Sequence, residues 1–266
     1  MNWLDYSKAL IMGVVEGITE FLPVSSTGHL IITADLIKFD GPLTTTFEVA
    51  IQLGAIFSVC WLYRAKLFAV VDGLLTERAA QRFVWNLLLA FIPAAILGFL
   101  LHDHITKYLF NPITVAWALI AGGLLILAVE RWHVPVDVVD IDTMDWKHAL
   151  KIGCTQALAL IPGTSRSGAT IIGGLLFGLS RQAATEFSFF LAIPTMFAAT
   201  IYDISKNLSA FDVDQFGLFA VGFVVSFVSA LLAVKTFLRF IARHSFSAFA
   251  WYRILFGTLV LWYYWR

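Results

Sequence analysis

The chain has 266 residues, of which 59% are hydrophobic and only 14% charged, with a mean hydropathy of +0.82. Soluble domains run about 45–50% apolar and about 25% charged, so a water-soluble globule, a disordered chain and a secreted disulfide scaffold are excluded, which leaves an integral membrane protein. Lysine plus arginine balance aspartate plus glutamate at 18 each, giving no basic surplus for nucleic acid.

Residues 1–30 lack the basic segment and small-residue cleavage site of a secretory leader and read as mature chain. Within them begins the first unusual stretch, 12–33, MGVVEGITEFLPVSSTGHLIIT, apolar at both ends and polar at its centre. Apolar runs long enough to span hydrocarbon as helices follow at 47–62, 84–101 and 113–129. A polar, acidic linker at 133–145 comes next. Then 152–179, IGCTQALALIPGTSRSGATIIGGLLFGL, repeats the pattern of polar centre and apolar ends. Further spans are expected at 186–202, 216–234 and 249–264. Cys60 and Cys154 stand in apolar stretches without a CxxC or His-rich context and read as small core residues.

Only helices or closed barrels satisfy every backbone group in lipid, so an all-α polytopic fold follows, with about six transmembrane helices. The two stretches with polar centres read as re-entrant helix–break–helix hairpins, since irregular backbone at membrane depth must line a protein-buried or watery cavity. They also resemble each other: Pro-Val-Ser-Ser-Thr-Gly at 23–28 parallels Pro-Gly-Thr-Ser-Arg-Ser-Gly at 162–168. A single domain over 1–266 with repeat halves of about 1–140 and 141–266 is expected. Placing the loops at 63–82, 131–151 and 235–247 in the cytoplasm puts ten of the 18 basic residues there, against Lys107 and Lys206 opposite. The positive-inside rule favours that choice. The halves then have inverted topology, with broken tips meeting inside the membrane.

The polar residues at those tips are the candidates for chemistry. Glu16 and Glu20 are four apart and share a helix face; they read as a metal-binding or proton-handling pair, with two surface acids as the alternative. Pro23 breaks the helix, leaving hydroxyls at Ser25, Ser26 and Thr27, close backbone access at Gly28, and His29 beside them. Ser26 with His29 as base, His29 itself, or a water activated by Glu20 reads as the attacking group, with a hydrogen-bonded packing role as the alternative for His29. Arg166, among Gly163, Thr164, Ser165, Ser167, Gly168 and Thr170, reads as an oxyanion cradle at a helix N-terminus, suited to phosphate, with an ion pair to Glu16 or Glu20 across the repeat as the compatible alternative. Glu48, Gln52 and Glu186 open neighbouring spans as supporting or metal-ligating groups.

The runs Glu16-Gly-Ile-Thr-Glu20-Phe-Leu-Pro-Val-Ser-Ser-Thr-Gly-His29 and Pro162-Gly-Thr-Ser-Arg-Ser-Gly-Ala-Thr170 closely resemble the undecaprenyl-pyrophosphate phosphatases, also called bacitracin-resistance proteins. The likeness continues through Phe47-Glu-Val-Ala-Ile-Gln-Leu-Gly54, Phe110-Asn-Pro112 and Glu186-Phe-Ser188, covering nearly the whole chain with no departure at a motif position. The resemblance implies a multi-pass enzyme of the bacterial plasma (inner) membrane. Such an enzyme removes the terminal phosphate of undecaprenyl diphosphate, recycles the carrier for cell-wall synthesis and gives bacitracin resistance. It also implies a divalent cation (Mg2+ or Ca2+), an active site opening outward, two re-entrant hairpins in interlocked inverted repeats, and a homodimer among membrane lipids. By the same resemblance Glu16 and Glu20 serve as metal ligand or base, Ser26 and His29 as nucleophile or base, and Arg166 as phosphate clamp. The competing reading is a transporter or flippase of a phosphorylated polyprenyl lipid, since broken helices in inverted repeats are also transporter architecture.

Overall fold

The structure, a computed structural model, describes residues 3–39, 44–132, 134–206 and 216–265. Asp212 and Asp214, expected as solvated loop charges, and His133 of the linker lie outside the described residues, as does the side chain of Lys206. Eleven α-helices are described: α1 (Trp3–Thr19), α2 (Ser26–Ile37), α3 (Thr44–Leu62), α4 (Arg64–Gly73), α5 (Arg78–Tyr108), α6 (Pro112–Arg131), α7 (Trp146–Gln156), α8 (Arg166–Leu176), α9 (Arg181–Lys206), α10 (Phe216–Ile241) and α11 (Ser247–Tyr264). Short 3-10 turns lie at Ile141–Thr143 and Ala157–Leu160, and Val138 and Leu179 form an isolated bridge.

Four helices, α5, α6, α9 and α10, are long and apolar enough to cross a bilayer, and α3 with α4 qualifies as a pair bent by 73°. The outer faces of these helices are hydrocarbon. Leu88, Ile92, Ile96 and Phe99 of α5 and Trp117, Leu124 and Leu125 of α6 are all exposed. A surface of that kind is compatible with lipid and not with water, so the fold is that of an all-helical, polytopic membrane protein. Local chemistry sets the helix starts. Asn111 accepts from the Thr114 N–H at 2.9 Å with Pro112 in the first turn of α6, and Asp145 accepts from the His148 N–H at 2.9 Å to open α7.

Helices from the two parts of the sequence pack crosswise: α1 and α3 lie on α10, α7 lies on α5, and α6 lies on α11. Small residues make this close packing possible, as they do between membrane helices generally. A Cβ on Gly13 would come within 2.7 Å of the Gly222 carbonyl oxygen, and one on Gly153, 140 residues later, within 2.5 Å of that of Ala90. Between the pairs lies an aromatic core of Phe21, Phe187, Phe189, Phe190 and Phe237, with Phe21 meeting Phe189 edge-on at 5.4 Å.

The acidic linker holds its charges in solvent, as expected, with Asp137, Asp140, Asp142 and Asp145 exposed and Asp142 paired with Lys66 at 2.8 Å. Its apolar residues dock it: Val138, Ile141 and Met144 are buried, Arg82 donates to the Asp142 carbonyl, and Asn86 Nδ2 donates to the Met144 carbonyl at 2.9 Å. One expectation needs correction. Cys60 is half-buried but Cys154 is exposed on α7, so it is no core residue. The α7 face that packs on α5 is built instead by Ala149, Ile152 and Gly153.

Candidate active site

Two helix breaks form the site, and each leads into its next helix through the same serine turn. At the first, Glu20 to Ser25 separate α1 from α2. At the second, the 3-10 turn and Ile161 to Ser165 separate α7 from α8. Ser25 and Ser165 each precede a helix with positive φ, 70° and 75°. L-residues rarely adopt that conformation, at a cost of about 1–3 kcal/mol. Each serine Oγ then accepts from the glycine N–H three residues on, Gly28 at 3.4 Å and Gly168 at 3.0 Å. The strained backbone turns the chain sharply, and the serine caps the helix that follows. Ser26 and Arg166 are therefore equivalent, each the first residue of its helix.

These two residues meet on one carboxylate. Ser26 Oγ donates to Glu20 Oε2 at 2.5 Å, and Arg166 Nη2 donates to Glu20 Oε1 at 3.0 Å. Arg166 also donates through Nη1 to the Ser188 carbonyl at 3.0 Å, and its guanidinium lies over Phe21 at 5.6 Å. Ser188 Oγ meets Thr170 Oγ1 at 2.6 Å, which fixes α8 on α9. Both partners of the ion pair are largely buried, so removing one would strand a charge, at about 3–5 kcal/mol. Glu16 is also buried and faces Glu20 and Glu48.

Two buried atoms of this group lack a hydrogen-bond partner, Oε2 of Glu16 and Nε of Arg166. One is an acceptor suited to a cation, the other a donor suited to an anion. Among the described residues no group of three or more His, Cys, Asp or Glu side chains is placed to hold a metal ion.

The remaining predicted residues take different places. His29 does not bond Ser26: its Nδ1 meets the Ser25 carbonyl at 2.7 Å and its Nε2 the Tyr252 hydroxyl at 2.6 Å, with its ring stacked on Phe256 at 4.3 Å. Because a carbonyl only accepts, Nδ1 carries the proton of the neutral ring and Nε2 accepts from Tyr252. Ser165 and Ser167 share a bond of 3.0 Å, and Ser167 reaches across to the Leu22 carbonyl at 2.7 Å, tying the two breaks together. Thr27 is half-buried in the first turn of α2. Glu48 and Gln52 lie half-buried on α3, whereas Glu186 accepts from Gln182 of its own helix at 3.2 Å. The α9 residues that contact Arg166 are Ser188, two residues further on, and Met196, whose Sδ accepts from Nη2 at 3.6 Å.

Arg253 went unrecognised in the sequence. It is 1% exposed and uses its whole donor fork on backbone: Leu119, Ala118, Pro23, Gly163 and Thr164 carbonyls at 2.9 to 3.2 Å. It thus clamps both breaks to α6, and the carbonyls of Gly163 and Thr164 face this clamp. A basic residue in the middle of the apolar run 249–264 was the available signal, because such a charge needs internal partners.

The family model described as bacitracin resistance protein BacA matches residues 9–259. A protein of Nitrosospira multiformis named undecaprenyl-diphosphatase is 61% identical over 261 residues, covering 98% of this chain and 96% of its own. Proteins of the same name from Nitrosomonas eutropha and Pseudomonas aeruginosa (strain UCBPP-PA14) are 59% and 58% identical, again over 98% of this chain and over 95% and 94% of theirs. The chain belongs to the BacA bacitracin-resistance family.

Proposed function

We infer that the protein is a membrane phosphatase that hydrolyses undecaprenyl diphosphate to undecaprenyl monophosphate and inorganic phosphate, recycling the lipid carrier for cell-wall synthesis. The observation that carries the chemical reading is the buried Glu20 carboxylate held between Ser26 and Arg166. A hydroxyl donating to a carboxylate and flanked by a guanidinium is an arrangement for phosphoryl transfer: a nucleophile, its base and an anion clamp within bonding distance.

In this proposal Arg166 binds the terminal phosphate and stabilises charge on its equatorial oxygens as the bridging bond breaks. Ser26 Oγ attacks the terminal phosphorus in line, its proton passing to Glu20, while the P–O bond to the lipid phosphate breaks and the monophosphate leaves. Glu20 releases that proton to the departing monophosphate. Water then attacks the phosphoserine, giving a proton to the freed carboxylate, which returns it to Ser26 Oγ as the Oγ–P bond breaks and inorganic phosphate leaves. His29, held between Ser25 and Tyr252, orients the N-terminal turn of α2.

The acidic pair fits a divalent cation, because Glu16 presents a buried, unpartnered oxygen next to Glu20. Mg2+ in particular is commonly held by one or two carboxylates plus substrate phosphates and water. Glu16 and Glu20 would hold Mg2+ or Ca2+, which when bound supplies Lewis-acid neutralisation of the diphosphate.

The membrane arrangement is part of the same proposal. The matched breaks and crosswise helix packing support two re-entrant hairpins in an inverted repeat, with α11 as a further span. The distribution of basic residues supports a site open to the outer face of the inner membrane. A homodimer rests on the family resemblance, and light scattering of detergent-solubilised protein tests it.

Phosphate release decides the function. Purified protein supplied with undecaprenyl diphosphate and Mg2+ or Ca2+ is expected to release inorganic phosphate, and EDTA to stop it. Binding of the lipid without release would favour a transporter. Mass spectrometry of rapidly quenched protein is expected to find the phosphoryl group on Ser26.

A further inference from the structure

A cleft of about 670 Å³ lies between the first turns of α5 and the linker where it enters α7, and none of its lining residues belongs to either helix break. That size falls within the range of about 300–1,000 Å³ for small-molecule sites. Its walls include Arg78, Arg82, Trp85 and Asn86 of α5 and, from the other side, Asp145 and Trp146. Among the described residues nothing bonds the Arg78 guanidinium. Arg82, one turn on, donates to the Asp142 carbonyl and ties the linker to α5. Glu77 makes no side-chain cap, so the N–H groups of the first turn add to the positive end of the cleft.

The linker side offers acceptors. Asp145 opens α7 through Oδ1, which accepts from the His148 N–H at 2.9 Å and meets His148 Nδ1 at 2.6 Å. A carboxylate has about four acceptor sites, and this side chain is 52% exposed. The His148 backbone N–H holds its carboxyl below the ordinary value, so it stays ionised. Asn86 is 2% exposed; its Nδ2 faces the Met144 carbonyl at 2.9 Å, and its Oδ1 is buried without a partner.

One cleft thus holds two guanidinium groups and two acceptors. A simple anion would use the guanidiniums and leave Asp145 facing a like charge. A head group that carries an anion and an N–H cation a short linker apart satisfies both sides. The exposed rings of Trp85 and Trp146 suit it, because indole faces attract an ammonium and indoles settle at the water–lipid boundary. Beyond the cleft, Leu88, Ile92 and Ile96 continue the stripe of Arg78, Arg82 and Trp85 at helical spacing and are exposed. One face of α5 therefore passes from the cleft directly into a track for acyl chains.

We propose that this cleft binds phosphatidylethanolamine, its phosphate on Arg78 and Arg82 and its ammonium on Asp145 and Asn86 Oδ1. Basic pockets beside transmembrane helices hold lipid head groups, and here the carboxylate selects a zwitterionic head over an anionic one. Phosphatidylglycerol lacks the cation, and phosphatidylcholine lacks the N–H donors. The inference rests on the fold alone, not on the reaction at the helix breaks.

Native mass spectrometry tests the assignment. Full-length protein, delipidated in detergent, is offered equal amounts of phosphatidylethanolamine, phosphatidylglycerol and phosphatidylcholine with the same acyl chains. Phosphatidylethanolamine should be retained about threefold or more over each of the others. Either competitor retained as well or better, or no lipid retained, would overturn the proposal. Arg78→Gln should lower phosphatidylethanolamine binding by about tenfold. Asp145→Asn keeps the start of α7, because asparagine caps as well as aspartate, and should bring phosphatidylethanolamine and phosphatidylglycerol within about twofold of each other. A variant that binds and discriminates like wild type would place the head group outside this cleft.

Discussion

The two helix breaks share a serine turn and carry opposite chemistry. Both turn through a serine at positive φ that caps the next helix on a glycine N–H. The first residue of that helix is Ser26 in one and Arg166 in the other, and the equivalent positions one helix earlier are Glu16 and Gln156, both buried. The shared backbone sets where groups are held, and a few side chains set what they do. One tip is acidic, the other cationic, and Glu20 is bonded by the leading residue of each.

The sharpest way to break that pairing is at Arg166. Arg166→Ala is expected to lower kcat/KM for phosphate release by about 10³-fold, the scale seen when one preorganised donor to a developing anion is lost. Arg166→Lys should recover only part of it, because a point charge cannot hold both Glu20 and a phosphate as a planar fork does. Recovery to the wild-type rate would mean that charge alone suffices.

Arg253 tests whether the breaks depend on a common scaffold. Arg253→Met leaves five carbonyls without their donor and should destabilise the protein by about 3 kcal/mol or more, as orphaned buried polar groups do. Thermal unfolding in detergent reads this, and an unchanged Tm would remove the clamp from the account.

Making the acidic tip resemble its counterpart is a smaller change. Glu16→Gln should lower the rate by about 10- to 100-fold and blunt its sensitivity to EDTA, with Tm unchanged or raised because a buried carboxylate has become neutral. A variant with the full EDTA-sensitive rate would show that Glu16 holds no cation. The smallest effects belong to the shared feature. Ser25→Ala and Ser165→Ala should each cost about 1 kcal/mol as lost caps, and strongly unequal costs would show that the two turns are not equivalent in energy.

Much of this was legible in the sequence, for identifiable reasons. Apolar runs located α3, α5, α6, α9, α10 and α11, because in lipid the surface itself must be apolar. Carboxylates, hydroxyls and an arginine at the centre of apolar stretches marked both breaks, since such groups are costly there without partners. What could not be read was which distant groups meet. The spacing of Ser26 and His29 suggests a pair, but the turn at Ser25 sends Ser26 toward Glu20, while His29 finds Tyr252, 223 residues later. Ser188 was overlooked beside Glu186 because a serine carbonyl that accepts from an arginine leaves no trace in composition. The bend between α3 and α4 and the docking of the acidic linker depend on tertiary contacts that no local pattern encodes.

The most direct test of the convergence of the two tips is a double-mutant cycle on phosphate release, with Glu20→Gln, Arg166→Ala and the combined variant in the same lipid. Residues that act as one unit are non-additive, so the combined variant is predicted to be no slower than the slower single variant. Losses that multiply, each mutation costing as much in the other's presence as alone, would contradict a shared site.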